Sequence, residues 1–306
     1  MKTNNGQYDV DVIIPTFNNK NELSECLASL DRQTFRSFFV HICVDGSTDN
    51  TIEWLSHQPY TFDFTIHEHA DHGNHGRAAA RNLGLQNVSA PYVILLDSDV
   101  IAQSNLLAAH LSFIKKWEGI SVGDIRFDNS QENIWAYYLQ QRGKHRYAHG
   151  KVIPPQYFVT QNVAFPSLLI EKTGLMDEAI KGYGGDDLDY GVRLVHDTHW
   201  KCRYNIKASV HAEMNKNLET ALTQLHEFGF QSLPYLLKKF DEYQDSPDLF
   251  KIHLSKKKWV YSKIWKRLSE VMLYFPFFIA KYGVHYLVFY NVVTGFKKYH
   301  GTAHSI

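Results

Sequence analysis

The sequence predicts an α/β fold with a mostly parallel sheet and a C-terminal helical extension. Apolar runs of strand length (VDVII from Val10, FFVHICV from Phe38, YVILL from Tyr92) alternate with segments of helical period. Strands that are apolar throughout, rather than on every second residue, belong to sheets covered on both faces. A second observation sets the end of the chain apart. From Lys251 onward basic and aromatic residues mix, and a long apolar stretch follows them.

Each element has its own reason. VDVII leads into a helical stretch from Asn21 to Gln33. FFVHICV is followed by a helix start at Ser47, Thr48 and Asp49, in which Asp49 can accept from free backbone amides while Glu53 favours the positive end. FDFTIH is the third strand. GRAAARNLGLQ, from Gly76, is a helix whose small residues allow close packing on the sheet, with Gly73 and Gly76 before it and Gly84 within it. YVILL is the fourth strand. Beyond Gly119 the alternation loosens into a helical segment from Glu132 to Gln141, a polar loop RGKHRYAHGK and an apolar segment NVAFPSLLI. Loops at the C-terminal ends of the strands are expected to form the site.

Composition narrows the function. The 306 residues carry 32 basic and 32 acidic side chains, so nucleic acid is not an expected partner, because phosphate backbones are held by excess Lys and Arg. Cys26, Cys43 and Cys202 are odd in number and far apart, which excludes a disulfide framework and a Cys-x-x-Cys zinc site. A reducing cytoplasm is expected. The N-terminal MKTNNGQYDV is polar and shows no secretory signal.

Two motifs can carry chemistry. In VILLDSDV, Asp97 and Asp99 follow four apolar residues with no basic residue near them in the chain. Buried unpaired charge is costly, so the pair needs a cation, a ligand or open water. Hard oxygen ligands suit Mg²⁺ or Mn²⁺; the bland alternative is that one aspartate caps a helix beginning near Gln103. In GYGGDDLDYGVRL, three glycines precede Asp186, Asp187 and Asp189. Carboxylates this close raise one another's pKa, which makes one of them a usable general base. A helix N-terminus favours Asp for its dipole alone, which accounts for Asp189 but not for the glycines.

VIIPTFNN, VDGSTDNT, NHGRAAARNLGL, LLDSDV and GYGGDDLDYGVRL, in that order from about Asp9 to about Met214, together resemble the large inverting GT-A nucleotide-sugar glycosyltransferases, glycosyltransferase family 2. The resemblance implies a GT-A fold, Rossmann-like, with a nucleotide-sugar-binding half over residues 1–118, an acceptor-binding half over 119–215 and a helical region over 216–306. It implies a hexosyltransferase-type enzyme that uses Mn²⁺ or Mg²⁺ and a nucleotide diphosphate sugar donor. It places Pro15, Thr16 and Phe17 in the base and ribose pocket and Asp45 on the nucleobase. Arg77 and Arg81 face the nucleotide, and Asp97 lies near ribose and metal. Asp99 and His211 become metal ligands, and Asp187 the catalytic base. Two departures stand out: Val44 precedes a single Asp45 where the family often has two aspartates, and Asp186 replaces a longer Glu. The second leaves open which of Asp186 and Asp187 is the base. Nucleotidyl transfer and non-catalytic glycan binding are the alternative functions.

HEHADHGNH, with His67, His69, His72 and His75, resembles a metal cluster, but its spacing straddles a strand end and a loop, and a polar rim is expected. His196 and His199 suit a helix C-terminus. In the C-terminal region Lys256, Lys257, Lys258, Lys263, Lys266 and Arg267 lie among Trp259, Tyr261 and Trp265, before an apolar stretch broken by Glu270, Pro276, Lys281 and His285. Such interruption argues against a spanning helix. Basic and aromatic residues beside apolar helices suit a surface anchor on anionic lipid, hence a cytoplasmic protein peripheral on the inner face of a membrane, with a glycan or lipid-linked acceptor. The alternative is packing on the second domain or on a partner subunit of a homo-oligomer.

Overall fold

The computed structural model describes residues 7–240 and 262–303, so Lys256, Lys257, Lys258, Trp259 and Tyr261 lie outside the described residues. The described chain divides into two units, the first from residues 7–126, 143–179 and 186–213 and the second from the remainder.

In the first unit the apolar runs become β1 (Val10–Thr16), β2 (Phe38–Val44) and β4 (Tyr92–Leu96), almost every residue of which is buried. β3 (Asp63–Glu68) is partly exposed throughout, as suits an edge strand. β5 (Ile101–Ala102), β6 (Ile120–Phe127), β7 (Asn162–Pro166) and β8 (Cys202–Ala212) complete an eight-stranded sheet of order β3-β2-β1-β4-β7-β6-β8-β5. The fold is mixed α/β, as expected. Its parallel part is β3-β2-β1-β4, and the pairs β4–β7, β7–β6 and β8–β5 are antiparallel. That change of direction coincides with the looser pattern after Gly119.

The helices of this unit are α1 (Lys20–Asp31), α2 (Thr51–Leu55), α3 (Arg77–Leu85), α4 (Leu106–Trp117), α6 (Leu168–Thr173) and α7 (Asp186–Thr198), with α5 (Ile134–Gln140) belonging to the second unit. α3 lies close on the sheet because its face is small. Ala78, Ala79 and Ala80 are buried, and a Cβ at Gly84 would stand 2.5 Å from the Ile13 side chain. Asp49 serves two helices. Its carboxylate accepts from the Thr51 hydroxyl and backbone N–H at the start of α2, as expected, and also from the Lys20 N–H at 3.0 Å at the start of α1.

A polar chain crosses the parallel strands. Asp11, fully buried on β1, accepts the Ser89 and Ala90 N–H groups at 2.7 and 2.8 Å. Its other oxygen lies 3.2 Å from His41 Nε2 on β2, and His41 Nδ1 pairs with His67 Nε2 on β3 at 2.9 Å. Burial alone would raise the Asp11 pKa; the bonds from His41, Ala90 and Ser89 hold it below the usual range. Burial, then the neighbouring His41, push His67 down to about 4, so this imidazole is neutral at physiological pH.

The second unit contains α5, α8 (Leu218–Phe230), α9 (Ser232–Phe240), α10 (Lys263–Met272) and α11 (Phe277–Ala303). Asn133 caps α5, accepting the Trp135 N–H at 2.9 Å and donating to the Met214 and Lys216 carbonyls. Trp135, Tyr138, Ala221, Val284 and Val288 form the core. α8 and α11 cross with their backbones in contact: a Cβ at Gly229 would lie 2.2 Å from the Val292 carbonyl, and one at Gly295 2.0 Å from the His226 carbonyl. Glycine, a poor helix former, is used here for space. No helix among the described residues is long and apolar enough to cross a membrane. Gly295→Ala is expected to force α8 and α11 apart and to cost about 1–3 kcal/mol or more, read as a lower midpoint in thermal unfolding.

Candidate active site

The C-terminal ends of β1, β2 and β4 and the first turns of α3 surround a cleft of about 180 Å³. Pro15, Thr16 and Phe17 line it from β1, Asp45 from β2, Asp97, Ser98 and Asp99 from β4, and Arg77, Ala80 and Arg81 from α3. Eight expected residues are thus brought together. Phe17 is 48% exposed, which leaves its ring face available for stacking. Asn19, not singled out in the sequence, links the two loops. Its Oδ1 accepts from Thr16 Oγ1 at 2.5 Å and its Nδ2 donates to Ser98 Oγ at 2.7 Å.

Asp45 is held by the loop before α3. Its two oxygens accept the His75 and Gly76 N–H groups at 2.8 and 2.9 Å, and His69 Nε2 lies 3.4 Å away. Gly76 has φ of 93°, the left-handed backbone that turns these amides inward. The other histidines of this segment each have an acidic or imidazole neighbour: His67 pairs with His41, His72 with Glu68 and His75 with Asp71.

Arg81 organises the acidic side of the cleft. It is 3% exposed; its Nη2 donates to Asp97 at 2.7 Å and its Nη1 to Asp186 at 3.4 Å. Arg77 Nη2 donates to the other Asp186 oxygen at 3.3 Å. Burial disfavours the Arg81 charge, but Asp97, Asp187 and Asp186 outweigh it and raise its pKa. Asp187 bonds elsewhere, accepting from Thr160 Oγ1 at 2.8 Å. Burial, then the charge of Asp186, push it up to about 6. Asp186 is tied to two guanidiniums, whereas Asp187 accepts from a hydroxyl and has an elevated proton affinity. Asp189 is fully buried and accepts from Arg193 Nε at 2.8 Å, which gives it a structural role.

Asp99 opens to the cleft, and the protein around its carboxyl, then Asp97, raise it to about 6. Neither aspartate caps the following helix, since α4 starts at Leu106 with Asn105 before it. Two hard carboxylates, one of them ionised at a cost, are a donor set that a divalent cation relieves. His211 lies on β8 opposite Ile101, two residues past Asp99; its Nε2 is 3.4 Å from the Gln103 side-chain nitrogen, and it is not among the residues that line the cleft. Among the described residues no three His, Cys, Asp or Glu side chains converge to hold a metal ion. His196 sits beside Asp197 at the end of α7.

The polar loop RGKHRYAHGK hides a further cluster. Asp124 on β6 accepts from Tyr204 Oη at 2.6 Å and lies 3.1 Å from His145 Nδ1 and from Arg126 Nε. Lys144 is buried and donates to the Gly123 carbonyl at 2.6 Å; burial lowers it to about 7, with Asp124 and Asp187 pulling the other way. Nothing in the spacing of this loop announced a buried lysine.

The family model described as Glycosyl transferase family 2 matches residues 11–169. An uncharacterized glycosyltransferase of Rickettsia prowazekii is 25% identical over 225 residues, which cover 72% of this chain and 69% of the relative. Among solved structures, a mannosyltransferase from Pyrobaculum calidifontis in complex with GDP-Man and Mn²⁺ superposes with a TM-score of 0.64 at 16% identity, over 97% of this chain and 90% of that one. S. aureus TarS in complex with UDP-GlcNAc gives a TM-score of 0.57 at 15% identity, over 96% and 92%. These two likenesses show the fold.

Arg81→Met is expected to leave the clustered carboxylates without their buried cation and to destabilise the protein by about 3–5 kcal/mol in denaturant unfolding. Arg81→Lys should recover part of that loss, since it restores charge without the fork.

Proposed function

The chain belongs to glycosyl transferase family 2, and from that premise we propose transfer of one sugar from a nucleoside diphosphate donor to a hydroxyl of a glycan or lipid-linked glycan, with inversion at the anomeric carbon. The chain is a glycosyltransferase, and the solved relatives that carry UDP-GlcNAc and GDP-Man support a nucleotide-sugar donor. The observation that carries the reading is Arg81, which ties Asp97 of the cleft to Asp186, the residue next to Asp187. A donor-facing carboxylate is thereby bonded, through one guanidinium, to the residue beside the proposed base.

In this reading Phe17 stacks on the nucleobase and Asp45 accepts from its edge with the lone pairs left by the loop amides. Arg77, half exposed at its side chain, meets the diphosphate. Asp187 takes the proton of the acceptor hydroxyl as that oxygen bonds to the anomeric carbon. The bond from that carbon to the diphosphate oxygen breaks on the opposite face, and its electron pair leaves with the nucleoside diphosphate. One displacement inverts the centre. Mn²⁺ or Mg²⁺ held by Asp99 and Asp97 would neutralise charge on the leaving diphosphate. The same proposal places the enzyme peripherally on the inner face of a membrane. Nucleotidyl transfer would use the strand-end carboxylates but gives Asp187 no task, and a non-catalytic glycan-binding module gives the cleft none; neither has an observation in its favour.

Asp187→Asn is expected to lower kcat by about 100-fold or more while nucleotide affinity, measured by calorimetry, stays within error; retained turnover removes Asp187 from the mechanism. The base must be ionised to accept a proton, so kcat/KM should rise with pH up to about 6 and level off above it. The same raised pKa means that the folded state binds this proton more tightly than the unfolded one. Its contribution to stability therefore declines as pH climbs from the ordinary carboxylate range through about 6, and Asp187→Asn should remove that decline in metal-free thermal melts. Chelation of divalent ions should abolish transfer, with Mn²⁺ restoring it to the native protein but not to Asp99→Ala.

A further inference from the structure

α10 is turned inside out relative to a helix on a soluble core. Ile264, Leu268, Val271 and Phe275 recur at steps of four, three and four along α10 and the turn after it, which is one face of a helix. All four are exposed, Ile264 at 71% and Val271 at 56%. The face turned to α11 is a different one, with Met272 against Gly283 and Leu273 on the apolar core of the unit. Ser269 is buried there, and a Cβ at Gly283 would lie 2.5 Å from its carbonyl. The unit therefore closes without using the apolar stripe. Beyond the helix, Tyr274 and Phe278 continue the exposed surface, at 92% and 59%.

We propose that this outward stripe of α10 is the docking surface for an anionic lipid bilayer, lying in the plane of the headgroups; this deepens the peripheral placement proposed above. Charge decides the occupant. Lys263, Lys266 and Arg267 share α10 with a single acidic residue, Glu270, which is paired to Lys266, and both Lys263 and Arg267 are exposed. Apolar residues flanked by cations match a surface that is apolar beneath and negative above. A second copy seated by two-fold symmetry would bring the same cations against each other. Length agrees: the 10 residues of α10 rise about 15 Å, half of a hydrocarbon core, so the helix can lie on a bilayer but not cross it.

The test is sedimentation of the full chain with phosphatidylcholine vesicles, with and without about one-third phosphatidylglycerol, at low and high salt. Association is expected with the anionic vesicles alone and should weaken as salt rises. The combined Ile264→Ser, Leu268→Ser, Val271→Ser variant should lose about tenfold or more in partition, with its melting temperature and nucleotide affinity unchanged. Lys263→Glu with Arg267→Glu should lose binding and leave folding alone. Three results overturn the proposal: wild type ignores anionic vesicles, the apolar variant binds them as before, or that variant melts earlier, which would mean that the chain itself covers the stripe. A dimer in light scattering that the apolar variant dissociates, without vesicle binding by wild type, assigns the face to a second copy. Vesicle binding is read without donor or acceptor and donor hydrolysis without vesicles, so failure of this surface and failure of the glycosyl-transfer reading are separate results.

Discussion

The buried guanidinium of Arg81 is the constraint on which the site depends. Four carboxylates (Asp97, Asp99, Asp186 and Asp187) come from two distant stretches of the chain, and their mutual repulsion would open the region if nothing opposed it. Arg81, bonded to Asp97 and to Asp186, bridges the two stretches and opposes it, with Arg77 adding a bond to Asp186. Arginine suits the position because its planar fork reaches two carboxylates at once and stays charged when desolvated. The arrangement also divides labour between neighbours in sequence: Asp186 is spent on holding the cluster, and Asp187 is left with an elevated proton affinity. The replacement of the longer Glu by Asp186, which left the identity of the base open, is thereby given a physical reading.

Much of this was legible in the sequence because it rests on local chemistry. Fully apolar runs announced β1, β2 and β4, and the small residues of GRAAARNLGLQ announced a helix pressed to the sheet. The residues around the cleft sit at strand ends and a helix start, positions that a strand-then-helix pattern already fixes. What stayed hidden depends on distant partners. Asp49 serves α2 as its place in the chain suggests, but its second bond, to the Lys20 N–H of α1, reaches 29 residues away. Lys144 looks like a solvated loop residue and is buried against the Gly123 carbonyl.

Balanced charge across the chain conceals strong local imbalance. The cleft concentrates carboxylates, and α10 concentrates cations beside exposed apolar side chains. Such separation costs stability, and chains keep it where it serves binding. Periodicity alone could not reveal which way α10 faces: the apolar stripe is equally good for a core and for a surface, and only the packing of Ser269 against Gly283 decides.

The row of side chains formed by Asp11, His41 and His67 has a consequence for assembly of the sheet. Strands that are apolar on both faces slide past one another with little penalty, since every offset buries the same kind of surface. With Asp11 on β1 and His41 on β2, however, only one alignment gives the carboxylate its imidazole. A slip by two residues would take the imidazole from a buried carboxylate and leave it to the Ser89 and Ala90 amides. This polar thread acts as a key that fits a single alignment, and it fixes where the ends of β1 and β2, and hence the residues at the mouth of the cleft, come to rest.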